Sequence, residues 1–235
     1  MKLKINELFT SMQGEGQTIG FPAFFIRAAG CNLRCSDCDT KYSFDEKGTS
    51  IDVVELAKKF KAENLDTIVM TGGEPTLQWD AVEALYREVH RTVEGFQRMI
   101  IETNGTIVPP QMQMYSGMYF SLSPKLMRPD MWHIDRLCEY YLGRNVEREI
   151  KILFFSKEQL YVAKELFDRF KNEGIELGRP VTFHPGIPNG TLDKDMPQWL
   201  QHLFKMYMQH RRLFPPSRFI VQQHKFIWSA EKRGV

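Results

Sequence analysis

The chain has 235 residues, 43% of them hydrophobic and 26% charged, the composition of a globular protein large enough to bury its own core, which excludes a disordered chain and a disulfide-dependent miniature. Its 31 basic and 29 acidic residues leave a net charge of +2 and no basic stripe, so direct nucleic-acid binding is not expected. No apolar run approaches the ~18 residues that a membrane span needs; the run over residues 21–29 is interrupted by Arg27, and a cytoplasmic location is expected.

In chain order, residues 23–27 read as a strand leading into Cys31, Cys35 and Cys38. Residues 52–62 predict a helix with Val53, Leu56, Ala57 and Phe60 on one face. A short apolar strand over 67–70 ends in Thr71-Gly72-Gly73-Glu74-Pro75 and precedes a helix over about 79–93. A strand over 98–102 ends in Thr103-Asn104-Gly105, and one over 119–122 ends in Ser123-Pro124-Lys125. The pattern Ile134, Leu137, Cys138, Tyr141 predicts a helix face carrying a core thiol. Residues 150–154 form the next strand and 157–171 a helix; 181–184 form another strand, followed by a helix over about 195–211 and a last strand over 218–223 that carries His224 at its end. Repeated strand-then-helix order predicts one α/β domain over residues 1–235 with a mostly parallel sheet, too short for eight complete units: a partial, open β/α barrel. Polar and glycine-rich segments that follow parallel strands share one rim, so these motifs are expected around one mouth.

Three cysteines at C-x₃-C-x₂-C spacing can hold three irons of a cubane cluster and leave the fourth without a protein ligand. A structural zinc site closes with four ligands, and the nearest histidine, His90, lies far along the chain in a helical segment. An electron carrier would supply a fourth thiolate nearby, and cysteines this tightly spaced do not make a disulfide framework.

The C-x₃-C-x₂-C segment after the first barrel strand, joined to Gly72-Gly73-Glu74-Pro75 after the next, resembles the radical S-adenosylmethionine (SAM) superfamily. The likeness implies a [4Fe-4S] cluster on Cys31, Cys35 and Cys38, with Gly72, Gly73 and Glu74 beside the SAM amino group. It also implies SAM contacts from Asp37, Asp39, Glu102, Ser123, Pro124, Lys125 and His184. Asp37 stands where many members carry an aromatic residue, which leaves backbone contact to the adenine and removes stacking.

Met12-Gln13-Gly14-Glu15-Gly16, Gly20-Phe21-Pro22 through Arg27, Gly30-Cys31-Asn32-Leu33, Cys38-Asp39-Thr40, Glu102-Thr103-Asn104-Gly105 and Gln223-His224-Lys225 resemble the 7-carboxy-7-deazaguanine synthase branch of that superfamily. What this branch implies is ring contraction of 6-carboxy-5,6,7,8-tetrahydropterin to 7-carboxy-7-deazaguanine with loss of ammonia, in queuosine-type deazapurine biosynthesis. Its substrate contacts would be Met12, Gln13, Gly14, Glu15, Arg27, Thr71 and His224, with Thr40 holding Mg²⁺. The branch further implies an external, flavodoxin-like electron donor and a homodimer. A glycyl-radical activase would share the cysteine spacing, but Gln13, Glu15, Arg27 and Thr40 suit a small zwitterionic heterocycle better than a protein loop.

Overall fold

A computed structural model describes residues 1–45, 47–110, 115–126, 147–175, 177, 181–188, 191 and 194–228. Successive side chains of a strand point to opposite faces, and here that alternation sorts apolar from polar residues. Phe24, Ile26, Ile68, Met70, Met99, Ile101, Phe120 and Leu122 all enter one core, while Ala23, Phe25, Val69, Ile100 and Tyr119 enter a smaller cluster on the opposite face. The intervening inner-face positions include Arg27, Thr71, Glu102, Ser121, Glu149, Lys151, Thr182 and His184. One face therefore builds the core and the other a polar basin.

The strands are β1 (Lys2–Met12), β2 (Pro22–Ala28), β3 (Thr49–Asp52), β4 (Thr67–Gly72), β5 (Arg98–Thr103), β6 (Met118–Leu122), β7 (Glu147–Phe154), β8 (Val181–Pro185) and β9 (Ser217–Phe219). Among the described residues they form one sheet in the order β3-β1-β2-β4-β5-β6-β7-β8-β9, parallel from β2 to β9 and antiparallel at β1 and β3. The first and last strands in that order do not pair, so the barrel is open. Helices α1 (Val53–Ala62) and α2 (Trp79–Thr92) cover the first core. A second core joins β7 and β8 to α3 (Lys157–Asn172) and α4 (Met196–His210). Helix α1 starts where it does because the Asp52 carboxylate accepts a hydrogen bond from Val54 N at 2.9 Å. Among the described residues no helix is long and apolar enough to cross a membrane.

Three features differ from the sequence reading. Strand β1 is absent from it because a bulge between Ile5 and Glu7 switches the alternation, so that Leu3, Ile5 and Leu8 share a core although their spacing is irregular. The short β3, paired with β1, is likewise absent from it. The last strand stops at Phe219 rather than running through residue 223, and His224 lies instead on α5 (Gln223–Trp228). The reason is Pro185: Ile220 N still donates to Phe183 O at 2.9 Å, but the next ladder bond in a parallel register would need an N–H at residue 185. The expected helix bearing Ile134, Leu137, Cys138 and Tyr141 lies outside the described residues.

Candidate active site

The carboxyl ends of the parallel strands and the β1–β2 loop enclose one cavity. Its lining includes Met12, Gln13, Gly14, Glu15, Arg27, Cys31, Cys35, Asp37, Cys38, Asp39, Thr40, Thr71, Gly72, Gly73, Glu102, Ser123, Lys125, His184 and His224. Sequence reasoning had proposed each of these for cofactor or substrate.

On one side lies the cysteine loop, which follows β2. Its three thiols carry no disulfide; Cys35 is buried, and Cys31 and Cys38 are half-buried. Leu33 N donates to Cys31 Sγ at 3.4 Å, and burial pushes the Cys31 thiol above its ordinary range. The Gly72-Gly73 turn is packed directly against the entry to this loop: Gly73 N donates to Ala28 O at 3.0 Å and Glu74 N to Gly30 O at 2.7 Å. A Cβ at Gly73 would sit 1.9 Å from Gly30 O, so only glycine permits this approach. Asn104 ties the end of β5 to the loop, Nδ2 donating to Asn32 Oδ1 at 3.0 Å. Lys125 Nζ donates to Ser123 Oγ at 3.0 Å at the end of β6.

Glu74 and Pro124, expected beside SAM, are not part of the cavity lining. Glu74 is 1% exposed, and its carboxylate accepts from Thr76 N (3.1 Å), Thr76 Oγ1 (2.6 Å), Thr103 Oγ1 (2.7 Å) and Asn104 N (2.8 Å). It staples two rim turns together.

The other side of the cavity carries buried charge. Arg27 Nε donates to Glu7 Oε2 at 2.7 Å, Tyr42 Oη donates to the same oxygen at 2.7 Å, and the guanidinium lies 5.6 Å from the Phe9 ring centroid. Across the floor, Thr71 Oγ1 donates to Glu102 Oε2 at 2.8 Å, and Lys151 Nζ donates to Glu102 Oε1 at 3.0 Å and Glu15 Oε2 at 2.7 Å. Gln13 Nε2 reaches Glu102 at 3.3 Å, and Gln222 Nε2 donates to Glu15. Burial alone would raise both carboxyls and lower the lysine. The mutual attraction outweighs it, so Glu15 titrates well below the carboxylate range, Glu102 below it and Lys151 above the lysine range.

The β1–β2 loop is latched from below. Gly16 N donates to His184 Nε2 at 3.1 Å and Gln17 N to Glu149 Oε2 at 2.8 Å. Burial holds His184 at a pKa of about 4, hence neutral near pH 7, with the proton on Nδ1 because Nε2 accepts. That Nδ1 is buried without a hydrogen-bond partner among the described residues. From the far end of the chain, Gln223 N donates to Gly14 O at 3.1 Å, and a Cβ at Gly14 would stand 2.6 Å from His224 Nδ1.

A family model described as the radical SAM superfamily matches residues 25–194. A protein of Aquifex aeolicus named 7-carboxy-7-deazaguanine synthase is 34% identical over 188 residues, spanning 76% of this chain and 77% of its own. One of the same name from Clostridium acetobutylicum is 30% identical across all of both chains. The chain belongs to the 7-carboxy-7-deazaguanine synthase family of the radical SAM superfamily. A crystal structure of QueE from Escherichia coli shares the fold, with a TM-score of 0.68 over 94% of each chain at 21% identity.

The residues present fit the groups that this synthase family implies. Three thiols that form no disulfide face one cavity, which suits a cluster with one open iron. The orphaned His184 Nδ1–H is a buried donor that a ligand can satisfy. Thr40 offers a hydroxyl 3.5 Å from Cys38 Sγ, and magnesium takes few protein ligands and completes its shell with water and ligand oxygens. Asn104, expected at this mouth as part of the segment after β5, lines the cavity, whereas sequence reasoning missed Lys151 and Gln222, which line it too. The signal for Lys151 was available: it interrupts an apolar strand between Ile150 and Ile152, as Arg27 interrupts β2.

Proposed function

We propose that this member of the family converts 6-carboxy-5,6,7,8-tetrahydropterin to 7-carboxy-7-deazaguanine with release of ammonia. The observation that carries the reading is the union, in one cavity, of the three thiols and the Gly-Gly turn with Gln13, Glu15, Arg27, Thr40 and Thr71. The cluster and SAM, when bound, would supply one-electron cleavage and hydrogen abstraction, and Mg²⁺ held at Thr40 would supply a Lewis acid to the substrate.

The chain's own residues supply orientation and exclusion of water. Cys31, Cys35 and Cys38 would hold the cluster, and the Gly73 backbone, Ser123, Lys125 and the backbone of residues 37–39 would hold SAM, all of them at the wall of the cavity. Arg27 spends Nε on Glu7, which aims its terminal nitrogens as a planar fork at a carboxylate. Glu15 and Gln13 accept from and donate to the amide and amino edge of the heterocycle. Thr71, its proton committed to Glu102, presents lone pairs to the ligand. Phe9, Phe25 and Met12 line the cavity with apolar surface that keeps water from the reacting carbon. An external one-electron donor of the flavodoxin type, a cytoplasmic setting and a homodimeric assembly complete the proposal.

The test is anaerobic reconstitution with iron, sulfide, reductant, SAM, Mg²⁺ and the carboxytetrahydropterin. Mass spectrometry should find the deazaguanine acid and stoichiometric ammonia. SAM cleavage without that product would overturn the substrate, and zinc or a fully ligated cluster in the oxygen-free protein would overturn the reaction class.

A further inference from the structure

We propose that Lys151 is a positioning residue that holds Glu15 and Glu102 side by side as anionic acceptors for the N–H edge of a heterocyclic ligand. The inference rests on the pterin reading above, moves Glu102 from the SAM contact expected of it to the side of Thr71 and Gln13, which its carboxylate bonds, and adds the residue that sets the charge of the recognition floor. Lys151 projects from the inner face of β7 with its side chain 8% exposed, and its ammonium stands 2.7 Å from Glu15 and 3.0 Å from Glu102. The two carboxylates come from different parts of the fold, one from the β1–β2 loop and one from the end of β5. Both line the cavity together with Lys151.

Charge decides the role. The other donors to these carboxylates among the described residues, Gln13, Gln222 and Thr71, are neutral. The other ionisable side chains facing the group are Glu149 on the same strand, His184 on β8 and His224 on α5. Burial keeps His184 neutral, and Glu149 can add only negative charge. Among the described residues Lys151 is the one cation within ion-pair distance of either carboxylate. Two carboxylates that share a buried site without a cation cannot both ionise; one takes up a proton and becomes a donor where the ligand also donates.

The sheet register gives this a direction. Arg27 on β2 is level with Thr71 on β4, and Thr71 bonds Glu102 on β5, which bonds Lys151 on β7. A positive fork at one end and a negative pair at the other match a small ligand with a carboxylate on one side and an N–H-rich ring edge on the opposite side. The 2-amino-4-oxo-pyrimidine edge is such an edge.

The test uses the full-length protein, native and as Lys151→Met and Lys151→Met/Glu102→Gln. Two readouts are taken: ¹³C NMR of glutamate carboxyls in ligand-free protein, with Glu15→Gln for assignment, and calorimetric affinity for the carboxytetrahydropterin across pH. In native protein neither carboxyl should titrate between about pH 5 and 8, whereas in Lys151→Met one should, because burial and mutual repulsion are then unopposed. Pterin affinity in that variant should fall about thirtyfold or more at pH 6 and recover as pH rises through the new titration. The double variant removes one positive and one negative charge together, so its new titration should vanish and pterin affinity, though still weakened, should no longer change with pH between about pH 5 and 8.

A merely structural lysine would weaken binding without moving a carboxyl titration, or would give a pH dependence of affinity that Glu102→Gln leaves in place; either result overturns the proposal, and the double variant decides it even where Lys151→Met alone folds poorly. If the titrations behave as expected and native protein does not bind the pterin, the charge assignment stands and the substrate reading falls.

Discussion

Glu74→Gln separates two uses of a buried carboxylate. If Glu74 existed to meet a bound ammonium, the cofactor-free protein would tolerate the amide and only SAM affinity would drop. The geometry predicts a cost without any ligand. Three of the four hydrogen bonds enter Oε1 and one, from Asn104 N at 2.8 Å, enters Oε2. The best orientation of a glutamine keeps its oxygen at the three-bond end and turns its NH₂ on the Asn104 amide, so two donors face each other in a site 1% exposed. Losing one charge-assisted bond and orphaning a buried N–H costs about 3 kcal/mol. That is a large share of a domain's net stability, which is of order 5–15 kcal/mol. Urea unfolding of cofactor-free native and variant protein, followed by circular dichroism, measures it. A difference below about 0.5 kcal/mol, the scatter of ordinary surface substitutions, would refute the staple.

Three further outcomes follow from the site. Thr40→Ala should keep SAM cleavage and lose stimulation by magnesium, measured as deoxyadenosine and product formed against metal concentration; undiminished stimulation would refute its assigned role. Gly14→Ala should raise KM for the pterin about tenfold with little change in SAM affinity, because a Cβ there lies 2.6 Å from His224 Nδ1, and His224→Ala in the same chain should recover only part, since His224 N at 3.0 Å stays in the way. His184, neutral in the folded state with a pKa of about 4, lies below its unfolded value of roughly 6.5. Its contribution to stability is therefore full above that unfolded value and is lost as pH falls towards the folded one. Glu149, raised by burial, acts in the opposite sense above the carboxylate range. Replacing His184 by Gln should remove a slope of up to about 1.4 kcal/mol per pH unit between about pH 6.5 and 4, read by urea unfolding at several pH values.

The sequence reading was good where one principle governs and poor where two compete. Each parallel strand from β2 to β8 was legible because it is an apolar run that ends in a polar turn, and its edges moved by at most a few residues. Strand β1 was hidden by its bulge, and the end of β9 by a proline on a neighbouring strand, which no local pattern of residues 217–223 reveals. In the site, the motif residues after strands were legible because the rim collects them. Lys151 lies within β7, and Gln222, read as part of a last strand over 218–223, lies between β9 and α5, so neither stood in a segment that the reading had marked. Glu74 was found by its motif, but its neighbours, which only the fold assembles, set where its carboxylate points.

The latch of the β1–β2 loop has a consequence for the order of assembly. The thiol-bearing loop and its supports, Gly30, Gly73 and Asn104, are close in sequence and can take shape early during synthesis. The opposite wall needs partners 132, 168 and 207 positions apart: Gln17 with Glu149, Gly16 with His184 and Glu15 with Gln222. The cysteine loop therefore rests on nearer contacts and the opposite wall on the meeting of distant segments, which are the slower to close when a chain refolds.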